Sequence, residues 1–169
     1  IGMDTGDMIA KREISIEEDD TLGSLSDKLS KLGASLLEEV LPSIIDGTNK
    51  REEQNSGYVT YAKIIKREDE HLDFHKTALE VDRKVRALNP MPYANMLLND
   101  EEIKVIEGYI GEKTGGKTGT ICDITKDAIG IACSDKIYYI TKLKPSGKKE
   151  MMVKDYLNGI DKDKLKSSV

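Results

Sequence analysis

The sequence predicts two unlike parts: an α/β segment over residues 1–50 and a small closed β-barrel over residues 90–169, joined by a helix-bearing linker at 51–89. Three observations carry this. Leucines repeat at helical spacing between Leu22 and Leu41. A stiff Pro90-Met91-Pro92 stretch interrupts the chain. Beyond it the apolar period shortens to two, in short runs spaced about ten residues apart.

Composition narrows the class. The 169 residues fit one medium domain or two small ones. With 34% charged and 38% hydrophobic residues the chain reads as soluble, with enough apolar material for a core but only seven Tyr, one Phe and no Trp. No apolar run approaches the ~18 residues needed to span a bilayer, and there is no secretory leader pattern, so no membrane partner and a cytoplasmic setting are expected. Cys122 and Cys133 are too few for a disulfide framework and read as buried structural thiols inside apolar strands. The net charge of -5 is unevenly spread. Residues 1–88 carry 13 basic against 19 acidic residues, and 89–169 carry 13 against 12. From Lys136 to Lys149 there are five lysines and no acid, a strip on which a polyanion can dock. The chain opens on Ile-Gly without an initiator Met, inside a patterned segment, and reads as a piece of a longer chain.

Along the chain, Asp4-Thr5-Gly6-Asp7 is a turn. Met8 to Ile16 alternates weakly, as one or two short strands would. Asp20 is the expected N-cap of a helix whose stripe runs Leu22, Leu25, Leu29, Leu32, Leu36, Leu37, Val40 and Leu41. That stripe predicts core packing against the sheet of the first strands. Pro42 should kink or end the helix, and Gly47 is its stop. Residues 48–57 are polar loop, and Tyr58 to Ile65 has strand character. His71 and His75 read as surface histidines, since no third ligand stands at suitable spacing. Thr77-Ala-Leu-Glu80 is a capping box before Ala78, Val81, Val85 and Leu88. Then come Ile103–Ile110, Thr118–Ile124, Ala128–Cys133 and Ile137–Leu143 as strands, with Met96–Leu98 a possible fifth. Gly115-Gly116 and Ser134-Asp135 supply turns. Closure into a barrel would remove exposed edges. Met151 to Asn158 is a short helix stopped by Gly159, and the charged last ten residues read as frayed.

Several of these patches, in this order, resemble the 10-formyltetrahydrofolate-dependent formyltransferase family, and its methionyl-tRNA formyltransferases most. They are Asp4-Thr5-Gly6-Asp7-Met8-Ile9, Leu25-Ser26-Asp27-Lys28-Leu29, Leu32-Gly33-Ala34, Thr60-Tyr61-Ala62, Leu72-Asp73-Phe74, Val85-Arg86-Ala87-Leu88-Asn89-Pro90 and Leu143-Lys144-Pro145-Ser146-Gly147-Lys148-Lys149, with Met152 after it. The resemblance covers essentially the whole chain. It implies an α/β remnant, the end of a Rossmann-like formyltransferase catalytic domain, followed by a C-terminal OB-like β-barrel that binds tRNA. The chain departs from the family at Ile64, where a lysine is usual, and at Met91, where Trp is frequent.

The implied reaction is attack by the α-amino group of initiator methionyl-tRNA on the formyl carbon of 10-formyltetrahydrofolate, as in translation initiation. A carboxylate near the reacting nitrogen helps to move its proton, and placed donors stabilise the oxyanion. By resemblance Asp4 is that carboxylate. The family's folate site, and the Asn and His that work with the Asp, lie in a preceding half of the catalytic domain, so cofactor-binding residues are not assigned here and the fragment alone is expected to be inactive. No metal is implied. Lys142, Lys144, Lys148 and Lys149 would neutralise tRNA phosphates, with Gly147 letting the loop approach closely, and Arg86 and Lys63 complete the implied set. Few exposed aromatics are evident on that rim, so stacking is not expected to dominate. Self-association through a truncated sheet edge is a further possibility. The competing readings are a sugar-nucleotide formyltransferase of the same superfamily and a free-standing nucleic-acid-binding OB-like module.

Overall fold

The computed structural model describes residues 5–160 and 165, and the backbone of 167–168. It divides into two compact units, Ile1–Ile64 and Ile65–Val169.

In the first unit, helix α1 spans Leu22–Ile45. Its cap is Thr21, one residue later than the sequence predicts. The Thr21 hydroxyl accepts from the Ser24 N–H at 3.1 Å, and the Ser24 hydroxyl accepts from the Thr21 N–H at 3.0 Å. Asp20 is instead buried as an anchor. It accepts from the Lys28 ammonium at 2.7 and 2.9 Å, from the Ser24 hydroxyl at 2.7 Å and from the Glu17 N–H at 2.8 Å. These bonds, that from Lys28 foremost, hold its carboxyl down to about 2. An unfolded Asp titrates near 4. The contribution of Asp20 to stability is therefore complete above about pH 4 and lost as pH falls towards 2. Amide exchange over Glu17–Leu25 should accelerate across that window, and Asp20→Asn should abolish the pH dependence. An identical profile in Asp20→Asn would contradict this role.

Two expectations fail in this unit. No α1 residue is buried. Leu25, Leu32, Leu36 and Val40 are half-buried, while Leu29, Leu37 and Leu41 are exposed. The predicted strands do not form the sheet they would pack on: Met8 pairs with Glu52 in one antiparallel bridge, by reciprocal bonds of 2.8 and 2.9 Å, and residues 9–16 are irregular. Tyr58 to Ile65 is likewise not a strand. Ser56–Tyr58 is a 3-10 turn, capped by the Asn55 side chain, and the rest is exposed coil. Pro42 lies within α1, which runs on to Ile45 and stops where Gly47 takes a φ of +75°.

The second unit is an antiparallel sheet with two helices. Helix α2, Ala78–Ala87, starts at the predicted box: the Glu80 N–H donates to Thr77 Oγ1, and Thr77 N–H to Glu80 Oε2 at 2.9 Å. The strands are β1 (Ala94–Leu98), β2 (Glu101–Ile110), β3 (Ile121–Ile124), β4 (Ile129–Ala132), β5 (Ile137–Pro145), β6 (Met151–Met152) and β7 (Ser167–Ser168), with helix α3 at Val153–Asn158. The order is β3-β4-β5-β2-β1-β7, and β6 extends the β4 side of β5. Ser134-Asp135 makes the β4–β5 turn, where Asp135 Oδ1 accepts from the N–H groups of Ala78 and Lys136. Leu72, Phe74, the inner face of α2, the inward residues of the sheet and Val153 and Leu157 of α3 form one core. Between the pairs Gly108↔Ile140 and Glu107↔Lys142 the register shifts, leaving Thr141 as an extra residue in β5, and between Glu107↔Lys142 and Val105↔Leu143 it shifts back, leaving Ile106 as an extra residue in β2.

Closure into a barrel is not seen among the described residues: the path runs from β3 to β7 and does not return. The outer edge of β1 is occupied by β7 at Leu97–Leu98 and by the parallel bridge His71↔Asn95, so β3 has no free edge to meet there. Ser167 and Ser168, expected to be frayed, are the residues that make that pairing.

Of the two cysteines, both expected to be buried, one is a correction. Cys133 is buried, and burial pushes its thiol up to about 12. Cys122 is exposed, because it lies on the short, bulged outermost strand β3.

Candidate nucleic-acid interface

Asp4 lies outside the described residues. Its turn mates Thr5, Gly6 and Asp7 are exposed, and the Gln54 side-chain amide donates to the Gly6 carbonyl at 2.7 Å. Beside them Met8, Ile9, Lys11, Arg51 and Glu52 line a shallow groove of the first unit, with Lys11 paired to Glu52 at 3.2 Å. Lys63 is exposed and belongs to this unit.

The other basic candidates lie on the second unit. β5 carries Lys142 and Lys144 at outward positions, since Leu143 between them is buried. Beyond Pro145 the chain turns, with Gly147 at φ +68° and the Lys148 N–H donating to the Pro145 carbonyl at 3.1 Å. A positive φ is cheap for glycine alone, so this turn leaves Lys148 and Lys149 exposed at the strand end. Lys142 is already engaged, 3.3 Å from Glu150 and 3.5 Å from Glu107. Its hydrogen bond to Glu150, with the charge of Glu107, raises its pKa above the ordinary lysine value. Glu150 in turn accepts from the Tyr93 hydroxyl at 2.7 Å, which lowers the carboxyl and pushes the phenol up to about 12. Arg86, on α2, donates through Nε to Asp82 at 2.8 Å and is half-buried. The structure thus gathers Lys142, Lys144, Lys148 and Lys149 on one strand and its loop. Arg86 lies on a helix in an ion pair, and Lys63 lies in the other unit.

One basic residue escapes sequence reasoning. Lys104 on β2 stands directly opposite Lys144 in register. Like charges in a facing pair are unfavourable. Lys104 is steadied by the Pro92 carbonyl at 2.7 Å and by the Tyr93 ring, with its ammonium 5.9 Å from the ring centre. The alternation Ile103-Lys104-Val105 shows that Lys104 points outward, but its neighbour depends on a strand pairing that no local pattern encodes.

The two histidines differ in setting. His71 Nδ1 faces Asn95 Oδ1 at 3.1 Å, half-buried beside the β1 edge, while His75 is exposed and pairs with Asp73 at 3.2 Å. Among the described residues, no helix is long and apolar enough to cross a membrane.

An antiparallel sheet backed by α2 and edged by lysines defines a class of protein once the sequence is matched to known families. The formyl transferase C-terminal domain matches residues 64–161, more than half of the chain, and the chain belongs to the formyltransferase family. Within it, the similarity reaches the methionyl-tRNA formyltransferase of Staphylococcus epidermidis (strain RP62A), 41% identical over 159 residues that cover 94% of this chain and 51% of the relative. That of Bacillus subtilis (strain 168) is 40% identical over 159 residues, 93% of this chain and 50% of the relative. The chain spans about half the length of the curated relatives it matches. Among solved structures, HypX from Aquifex aeolicus in complex with tetrahydrofolic acid superposes with a TM-score of 0.72 at 18% identity, over 98% of this chain and 32% of that one. The sugar 3N-formyl transferase WlaRD superposes with a TM-score of 0.61 at 22% identity, over 88% and 52%. At these identities the likeness is one of fold.

Proposed function

We propose that this chain is the tRNA-holding, C-terminal portion of an enzyme that transfers a formyl group from 10-formyltetrahydrofolate to the α-amino group of initiator methionyl-tRNA. The observation that carries this reading is identity near 40% to methionyl-tRNA formyltransferases, sustained over 159 residues rather than confined to the C-terminal domain. The sugar formyltransferase WlaRD shares the fold at 22% identity.

In this reading residues 1–50 close a Rossmann-like catalytic domain, 51–89 link, and 90–169 form a partly open, OB-like tRNA platform. Asp4 is the carboxylate that assists proton transfer from the attacking amine. The folate donor is held by residues outside this chain, which alone does not turn over, and the enzyme works in the cytoplasm. Lys142, Lys144, Lys148 and Lys149 meet phosphates along the acceptor, and Arg86 and Lys63 are further phosphate contacts. The half-exposed stripe of α1 is covered by the rest of the catalytic domain, and self-association, where it occurs, runs through a truncated sheet edge.

Initiator tRNA binding across a salt series tests this. Lys148→Ala with Lys149→Ala removes two exposed cations that make no core contact. It should flatten the slope of log K against log salt by about 1.5–2, the loss of two phosphate contacts. Binding with an unchanged slope would favour the sugar-nucleotide reading.

A further inference from the structure

We propose that Tyr109 is a stacking site for an unpaired RNA base, a contact that rests on the tRNA reading above. Tyr109 lies at the end of β2 directly opposite Tyr139 of β5. Their rings are parallel within 10°, with centroids 5.0 Å apart, and Tyr109 is 49% exposed while Tyr139 is buried. One face of the Tyr109 ring is thus covered by Tyr139 and the ring still presents about half its surface to solvent.

What sets this pair apart from a chance surface tyrosine is how firmly its lower ring is held. The Tyr139 hydroxyl donates to Asp123 Oδ2 at 2.8 Å. The ring lies flat against the backbone where two glycines stand: a Cβ on Gly111 would come 2.4 Å from Tyr139 Cε2, and one on Gly130 would come 3.0 Å from Cε1. Tyr139, Ile137 and Ala128 form a small apolar cluster of their own, on the sheet face opposite the main core. Tyr109 therefore rests on an immobilised base plate and loses little freedom when a third ring is added to the stack.

The surroundings fit a nucleotide. The next facing pair on this side is Glu107↔Lys142, two residues of β2 further on, which places Lys142 about 7 Å along the sheet from Tyr139. From there the lysines of β5 and its loop continue in the same direction. The nearby carboxylates are engaged, Asp123 by Tyr139 and Glu107 by Lys142. A base stacked on Tyr109 would send its backbone toward that strip. Base–aromatic stacking is tolerant of sequence and combines with backbone cations in this way in single-strand binders. The exposed aromatic that sequence reading did not find beside the lysine rim is supplied by this strand pairing.

The chain has no tryptophan, so Tyr109→Trp places the one tryptophan of the chain at the site, where it can be excited apart from the tyrosines. Its emission should be quenched on adding a short single-stranded oligoadenylate. Tyr109→Ala should weaken oligoadenylate binding about tenfold, while Tyr109→Phe, which keeps the ring, should bind as the unaltered chain does, and all three variants should melt with it. If Tyr109→Ala binds oligoadenylate and tRNA normally and the tryptophan is not quenched, the inference is overturned and the tRNA reading stands. Oligoadenylate binding through Tyr109 without tRNA binding would uphold the site and overturn the reading. Failure of the unaltered chain to bind either RNA overturns both. Dimerisation lost in Tyr109→Ala, with RNA binding unchanged, makes the surface a protein contact and also overturns the inference.

Discussion

Phe74→Ala should lower the stability of the second unit by about 3–5 kcal/mol, the cost of emptying a buried phenyl site. Phe74 is the only phenylalanine of the chain and is 1% exposed. It shares the core with Leu72, Val81 and Val85, so its ring lies where the segment before α2 meets that helix and the sheet. The backbone around it is tied down: the Leu72 N–H donates to the Asn95 carbonyl at 2.8 Å, and the Asp73 side chain accepts from the His75 N–H at 3.0 Å. A site fixed on both sides collapses poorly, which puts the cost at the upper end of the range. Small domains are stable by only about 5–15 kcal/mol, so the loss would take much of the total. Urea titration followed by tyrosine fluorescence should show a lower midpoint at unchanged slope. A midpoint equal to that of the unaltered chain would show that Phe74 does not anchor α2.

Gly108→Ala should be nearly as damaging, by about 1–3 kcal/mol or more. A Cβ at this position would sit 2.6 Å from Cζ and the hydroxyl of Tyr138, and 2.6 Å from the Tyr139 carbonyl oxygen. The ring is fully buried and the carbonyl is backbone of the facing strand, so neither can step aside without parting β2 from β5. That pairing is the middle of the sheet. The check is thermal unfolding of Gly108→Ala against Gly116→Ala, whose Cβ would meet nothing within 4 Å. Equal melting temperatures for the two variants would contradict the predicted clash.

The sequence made the second unit largely legible and the first much less so. Short strands of alternating Ile, Val and Leu, and the Thr77–Glu80 capping box, are local signals, and β2, β4, β5 and α2 appear where those signals lie. Long-range pairing is not local. The closed barrel fails because His71, Ser167 and Ser168 take the β1 edge, and the Lys104–Lys144 and Tyr109–Tyr139 pairs follow from a register that no single strand encodes. In the first unit the leucine stripe correctly predicts a helix, but a stripe says only that one face seeks apolar cover. It does not say whether the cover is present. The cap moved from Asp20 to Thr21 because Lys28, two turns on, draws Asp20 away, and nothing in the spacing ranks one capping residue over its neighbour. Of the candidate site, the lysines of β5 and its loop were readable as an acid-free run, whereas the pairing of Lys142 with Glu107 and Glu150 required the fold.

The extra residue in β5 has a bearing on how this surface is written. On a regular strand, side chains three apart point to opposite faces. Ile140 and Leu143 are three apart, yet both enter the main core, because Thr141 adds one step to the count. The same step brings Tyr139 and Lys142 to a common outer face. One extra residue in each strand, Ile106 in β2 and Thr141 in β5, thus reverses the parity of the pair halfway along while the register on either side stays the same, so that an aromatic surface at one end and a cationic rim at the other look the same way.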